Sequence, residues 1–285
     1  MTKDPANQVL AAWETSSQYW TKHQALIEKM FATMSQALIK EAHIGPGQTI
    51  LDVGGGSGEP SLTIAPVVGE SGSVAYTDPA AGMVNAAHAE TKRRGLANIR
   101  FHQCPAERLP FADDSFDAAV SRLSAMFFPD VLASLREILR VVKPGGEVAF
   151  LVWAARDVNP FFNVVTEVLD RFVPADVEDE DSPAAFRFAR PGKLKEALQQ
   201  AGAVEVTERE LAFSIEAPID VNYFWELRTE MSDTFRSKLQ RLTPDQVAAI
   251  RYTVQKTVAP YFKTGGMCFP AKVLVVSGKK GLAES

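Results

Sequence analysis

Cysteine is almost missing from this chain of 285 residues. Cys104 and Cys268 stand without CxxC or CxxxC spacing, which excludes a disulfide framework and argues against a zinc site. Both thiols read as buried fillers in a reducing compartment. Long apolar runs are also missing; Val148 to Ala155 is the strongest and far short of a bilayer span, so no membrane insertion is expected. The start, MTKDPANQVL, lacks a basic segment followed by an apolar core, and a cytoplasmic setting is expected from it. Blocks of lysine and arginine are lacking too. A formal net charge of -5, from 30 basic and 35 acidic residues, disfavours general binding to phosphate backbones. The one dense basic cluster, "KRRG" at 92 to 95, reads as the last turn of a helix, where cations oppose the negative end of the dipole. The acidic run from Asp176 to Asp181 reads as a solvated loop.

What the chain does have is 46% apolar content, enough for one large core with a helical appendage. Strand and helix patterns alternate along it. Thr49 to Val53 predicts a strand, followed by a helix from about Glu59 to Val68 that takes Pro60 into its first turn. "SVAYTD" predicts a second strand, and "PAAGMVNAAHAETKRRG" a helix closed by Gly95. "NIRFHQC" and "FDAAVSRL" are the third and fourth strands. "VLASLREILRVV" is an amphipathic helix, and "GEVAFLVW" is a fifth strand entered through a "KPGG" turn. Strands alternating with helices need crossover connections, so the sheet is expected to be mostly parallel and covered on both faces.

The stretch "ILDVGGGSGEP", residues 50 to 60, falls at the carboxyl end of the first strand, where open α/β sheets bind ligands. Gly54, Gly56 and Gly58 remove the side chains that block close approach, and the following helix offers unpaired N–H groups. The spacing is GxGxG with Glu59 next, not the GxGxxG of a dinucleotide site, and no lysine completes a Walker loop. Asp52 would repel a pyrophosphate. A ligand with one anionic end, one cationic centre and a ribose suits the stretch better, and S-adenosylmethionine is such a ligand. Asp78, the last residue of the second strand, can accept bonds from ribose hydroxyls or cap the helix that Pro79 opens; the two roles can coexist.

Several ordered motifs carry a resemblance to a known family: "ILDVGGGSGEPSLTIA", "VAYTDPAAGMVNAA", "AERLPFADDSFDAAVSRLSAMFFPD", "LREILRVVKPGGEVAFLVW" and "PGKLKEALQQAGAVEV". Over about residues 48 to 153 and 190 to 206 the chain resembles the class I S-adenosylmethionine-dependent methyltransferases. It is similar within them to the ubiquinone and menaquinone biosynthesis C-methyltransferases. The resemblance implies an α/β, Rossmann-like, seven-stranded and mostly parallel sheet with an antiparallel last strand, helices on both faces and an added helical lid. It implies that Gly54, Gly56, Ser57 and Gly58 line the methionine part of the cofactor, with Asp52 reaching its amino group through water. Asp78 would hold the ribose, with Pro79 and Met83 near the adenine. Where the family places an acidic or amide residue before an alanine, this chain has Pro105 and Ala106, so adenine recognition falls to the Ala106 N–H and to either Glu107 or a backbone carbonyl. Ser121, Arg122 and Leu123 would pass beneath the sulfonium.

"AKVLVVSGK" fits the final strand, with alternating Val273 and Val275 matching a half-buried edge. Residues 5 to 42 read as one or two helices and residues 216 to 265 as a helical insertion. Accordingly 1 to 44 are expected to form an amino-terminal lid and 45 to 285 the cofactor-binding domain. Trp13, Tyr19, Trp20, Phe127 and Trp153 are expected to wall an apolar pocket for a small apolar or aromatic acceptor, carbon or oxygen ahead of nitrogen. His88 and His102 read as structural and His43 just precedes the turn into the first strand, leaving His23 and Tyr19 as the catalytic candidates. No [ND]PP[YF] motif follows the fourth strand, so no nucleic-acid partner is expected, and no metal is implied. A nucleotide-dependent oxidoreductase and a non-catalytic cofactor-binding module are the competing readings. Oligomeric state is open, a homodimer included.

Overall fold

The computed structural model describes residues 5–173 and 180–282. Three helices come first, α1 (Pro5–Lys22), α2 (Gln24–Met30) and α3 (Ala32–Glu41), where the sequence suggested one or two. Single non-helical residues, His23 and Phe31, make the breaks. Alternation then begins: β1 (Thr49–Val53), α4 (Ser61–Val68), β2 (Ser73–Asp78), α5 (Ala81–Arg93), β3 (Ile99–Gln103), β4 (Phe116–Arg122), α6 (Val131–Val141) and β5 (Val142–Trp153). Beyond lie α7 (Pro160–Asp170), α8 (Lys193–Gln200) and the long β6 (Ala203–Ala217). The chain closes with α9 (Val221–Met231), α10 (Asp233–Leu239), α11 (Pro244–Val258), β7 (Phe262–Lys263) and β8 (Gly266–Lys280). Most of the acidic run from Asp176 lies outside the described residues.

Seven strands run in the order β3-β2-β1-β4-β5-β8-β6, and the two-residue β7 pairs with β8 beside that path. The pairs among β1 to β5 are parallel, whereas β8 runs antiparallel to both β5 and β6. From β1 the chain walks outward to β3, then returns to the other side of β1 for β4 and β5. Right-handed crossovers therefore place α4 and α5 on one face and α6 on the opposite one. The reversal leaves a crevice at the carboxyl ends of β1 and β4.

Three local expectations change. Helix α4 starts at Ser61, with Pro60 at the cap position, because the Asp52 carboxylate accepts from both Ser61 N–H and Ser61 Oγ and fixes the first turn there. The "KPGG" segment is an irregularity within β5, between the Phe116 and Ala118 pairings, with Gly145 at φ 76°. Strand β8 is interior: Val273 and Val275 are flanked by β5 and β6, and the alternate residues Leu274 and Val276 are buried as well. The real edge, β6, carries Glu205, Glu208, Glu210 and Glu216 and alternates towards solvent, which gave it a polar appearance in sequence.

The insertion folds onto the sheet through rings: Phe161 of α7, Phe224 of α9 and Phe269 of β8 are all fully buried, with centroids 5.2 to 5.6 Å apart. Asn159 pins the same junction. Its Nδ2 donates to the carbonyls of Ala154, Ala155 and Lys272, and its Oδ1 accepts from Lys272 N–H at 2.9 Å. Asn159→Ala leaves buried backbone groups of β5 and β8 unpaired and should cost about 2 kcal/mol in urea unfolding. A change within about 0.5 kcal/mol, the range of a neutral surface substitution, would contradict this role.

Candidate active site

Beyond β1 the chain turns on Gly54 at φ 71° and Gly56 at φ 54°, a left-handed backbone that glycine alone adopts without strain. A Cβ at Gly54 would stand 2.5 Å from Ser124, so the bend also needs bare backbone for space. The tip of β2 holds the bend in place. Gly54 and Gly55 N–H donate to the Thr77 carbonyl, and Gly56 N–H donates to Asp78 Oδ2 at 3.0 Å. Asp78 Oδ1 accepts from Ala80 N–H at 2.9 Å. Burial pushes the Asp78 carboxyl up to about 6 against the pull of the Ala80 and Gly56 N–H groups, with the Glu14 charge adding to the rise. Asp52 lies deeper. Its Oδ2 is held by Ser61, its Oδ1 is buried without a partner, and burial pushes it up to about 7 against the bonds from Ser61 and the attraction of Arg122.

A cavity of about 480 Å³ opens over this bend. The bend lines it with Gly54, Gly56 and Ser57, the tip of β2 with Asp78 and Pro79, and α5 with Met83. Ala106 and Glu107 form one side, Arg122 and Leu123 from the end of β4 another. Trp13, Trp20 and Phe127 form an aromatic wall, Trp13 packing edge-on against Phe127 at 5.0 Å and Trp20 at 5.7 Å. Cys104, taken above as a buried filler, is half-buried in the wall, and burial with the Asp78 charge pushes its thiol up to about 11. Cys268 is half-buried on β8.

Other candidates stand away from the wall. Asp52 is sealed beneath the bend as the anchor of α4. Gly58 serves packing, since a Cβ there would meet Leu62 and the Ala87 backbone. Ser121 is fully buried and shares a 2.5 Å hydrogen bond with Ser124. Trp153 sits one ring behind the wall, 5.8 Å from Phe31. Tyr19 lies under the Arg236 guanidinium at 4.5 Å. His23 is buried and committed, with Nε2 2.6 Å from Glu230 and Nδ1 3.1 Å from the Tyr223 hydroxyl. His88 and His102 lie edge-on to Phe101 and Phe111. The wall contains no histidine among the described residues.

Sequence reasoning passed over Glu59, which lines the cavity. Its Oε2 accepts from Ser35 and Thr63, while Oε1 is buried with no partner. Arg122 Nη1 donates to the same Ser35 hydroxyl at 3.0 Å. Burial lowers the Arg122 guanidinium, and the Glu59 and Asp52 charges partly restore it. An acidic residue closing a glycine bend was the available signal. Val9 and Leu10 of α1 also reach the wall, a placement that depends on how α1 packs and leaves no motif.

Asp52 sets a pH dependence whose sign follows from its direction. Its carboxyl is near 3.8 when free and about 7 when folded, so the folded chain retains a proton that the unfolded chain releases. Stability should therefore fall as pH rises from about 4 through 7, by roughly 2–4 kcal/mol for this group. Asp52→Asn should flatten that slope in thermal unfolding between pH 5 and 8, values chosen as about those that bracket the transition. An unchanged slope would show that Asp52 is already ionised in the fold.

Residues 51–150 match a family model described as a methyltransferase domain. An uncharacterized protein of Mycobacterium tuberculosis is 33% identical over 147 residues, which are 52% of this chain and 52% of that protein. A ubiquinone/menaquinone biosynthesis C-methyltransferase of Coxiella burnetii is 34% identical over 149 residues, 50% of this chain and 60% of its own length. The chain thus spans little more than half the length of these curated relatives. The YcgJ protein of Bacillus subtilis shares the fold with a TM-score of 0.57 at 21% identity, over 87% of this chain and 97% of that one. The matched segment carries the glycine bend and both strand-tip carboxylates, and it is similar to the methyltransferase domain family.

Proposed function

We propose that the chain is an S-adenosylmethionine-dependent methyltransferase whose acceptor is a small molecule with an apolar or aromatic body, methylated at carbon or oxygen. The observation that carries this reading is the pairing of opposite charges along one cavity wall. Arg122 feels the Glu59 and Asp52 charges but donates only to Ser35 and the Phe31 carbonyl among the described residues, and Glu59 Oε1 has no hydrogen-bond partner. Together they suit the carboxylate and ammonium of a methionyl group. Asp78 suits the ribose hydroxyls, and Pro79, Met83, Ala106 and Glu107 suit the adenine.

When bound, the cofactor supplies a methyl carbon activated by its positive sulfur. The chain's own part is to bind, align and keep water out. Trp13, Trp20, Phe31, Phe127 and Phe128 make the rest of the wall apolar, which favours an apolar acceptor body. The absence of a wall histidine among the described residues, with a Cys104 thiol that stays protonated, favours an acceptor able to ionise without a strong base. Helices α1 to α3 act as a lid over the cofactor, with α9 to α11 closing the acceptor side.

Calorimetry should show S-adenosylmethionine binding, weakened about 10- to 100-fold by Asp78→Ala, with an unchanged circular dichroism spectrum. Labelled methyl transfer should follow with phenols, quinols or enols and not with oligonucleotides. Binding of NADH without S-adenosylmethionine would replace this reading with an oxidoreductase. Cofactor binding without transfer to any acceptor would leave a binding module.

A further inference from the structure

Glu59 and Arg122 stand on the same cavity wall with opposite charges, yet no ion pair joins them directly among the described residues. One hydroxyl lies between them. Ser35 Oγ donates to Glu59 Oε2 at 3.0 Å and accepts from Arg122 Nη1 at 3.0 Å. Burial lowers the Arg122 guanidinium and the Glu59 charge partly restores it, so the two groups attract each other without touching. Away from water, opposite charges gain most in direct contact, so the gap between these two needs a cause. A serine hydroxyl has one hydrogen to give and lone pairs to receive another, and here both capacities are used.

Ser35 comes from outside the wall. It lies on α3, in a face that otherwise buries Met34, Ala37 and Leu38, and it is 1% exposed. It does not line the cavity, so it reaches a ligand only through the two charges it separates. The separation leaves donors and acceptors free. Arg122 spends Nη1 alone, on Ser35 and at 3.5 Å on the Phe31 carbonyl, and Glu59 spends Oε2 alone, on Ser35 and Thr63. Glu59 Oε1 has no hydrogen-bond partner. A guanidinium and a carboxylate in direct contact bond through paired atoms of each, which would consume the free ones.

We propose that Ser35 is a positioning residue whose hydroxyl holds Glu59 and Arg122 apart, so that each meets the opposite charge of a ligand's amino-acid end rather than the other. This rests on the reading that these two side chains receive the methionyl group of S-adenosylmethionine. It adds that the amino-terminal helices complete the cofactor site from behind its wall: the glycine bend and β4 supply the charges, and α3 supplies their spacing.

The test is calorimetry on the full chain with two probes, S-adenosylhomocysteine and 5′-methylthioadenosine; the second keeps the thioether, ribose and adenine but has no amino-acid end. Their affinity ratio reads what Glu59 and Arg122 contribute. Ser35→Ala lets the two charges close on each other and should lower the ratio about tenfold, with 5′-methylthioadenosine binding unchanged. Ser35→Thr keeps the hydroxyl and should keep the ratio. In a Glu59→Gln background, where the closure has lost its carboxylate, adding Ser35→Ala should change the ratio by less than about twofold. If Ser35→Ala does not fold, Ser35→Cys, with the shape of serine and only a weak donor, takes its place with the same expectations. A ratio that stays at the wild-type value in Ser35→Ala, falls as far in Ser35→Thr, or falls as far in the Glu59→Gln background as without it overturns the proposal. So does an equal loss of both ligands, the mark of a packing residue. Wild type that binds S-adenosylhomocysteine no more tightly than 5′-methylthioadenosine, or not at all, overturns the methionyl assignment itself, and is read before any variant is made.

Discussion

The site depends on one constraint, the fixing of a glycine bend and the two helix starts around it by two buried carboxylates on neighbouring strands. Asp78 holds Gly56 and Ala80, so it fixes both the bend and the entry to α5. Asp52 holds Ser61, so it fixes the start of α4. Neither acid is neutralised by a salt bridge among the described residues, and both are raised by burial. The fold therefore keeps two weakly compensated carboxyl groups beneath and beside the cavity. A cationic ligand relieves that cost; an anionic one adds to it.

Glu14 extends the same logic. Its two oxygens accept from Ala81 and Gly82 N–H at 2.6 and 3.0 Å, and thereby occupy the amino end of α5, where a free helix would attract an anion. The contact is close because Gly82 has no side chain; a Cβ there would collide with Ser17 of α1. One residue thus docks α1 against the sheet, fills an anion position and raises Asp78 further. A pyrophosphate at this end of the cavity would meet the Asp78 carboxylate with the Glu14 charge close behind it, so the charge argument against an anionic ligand does not rest on Asp52 alone.

Local signals were legible in the sequence. The bounds of β1 and β2 follow from short apolar runs with an acid at or next to the end, and the glycine spacing marks the bend. Non-local ones were not. Glu59 and Leu10 line the cavity and Glu14 caps α5 because of tertiary packing, and no periodicity reveals which turn of α1 faces inward. The interior position of β8 was hidden because β6, its outer neighbour, has one wet face and reads as a polar segment. His23 seemed available as a lone histidine in the amino-terminal helices, yet Glu230, more than two hundred residues away, holds it. Ser35 gave no signal at all, since a hydroxyl at a helical position reads as solvated until its burial is known.

The measurement closest to the central claim is the proton balance of cofactor binding. Calorimetric titration with S-adenosylmethionine at a pH of about 6.5, between the raised Asp78 and Asp52 carboxyls, in buffers of different ionisation enthalpy, counts the protons exchanged. A positive charge brought into the cavity beside Asp78 and above the buried Asp52 lowers both and should release a fraction of a proton, with less release for S-adenosylhomocysteine, whose sulfur is neutral. Zero exchange, proton uptake, or equal release for the two ligands would contradict the account.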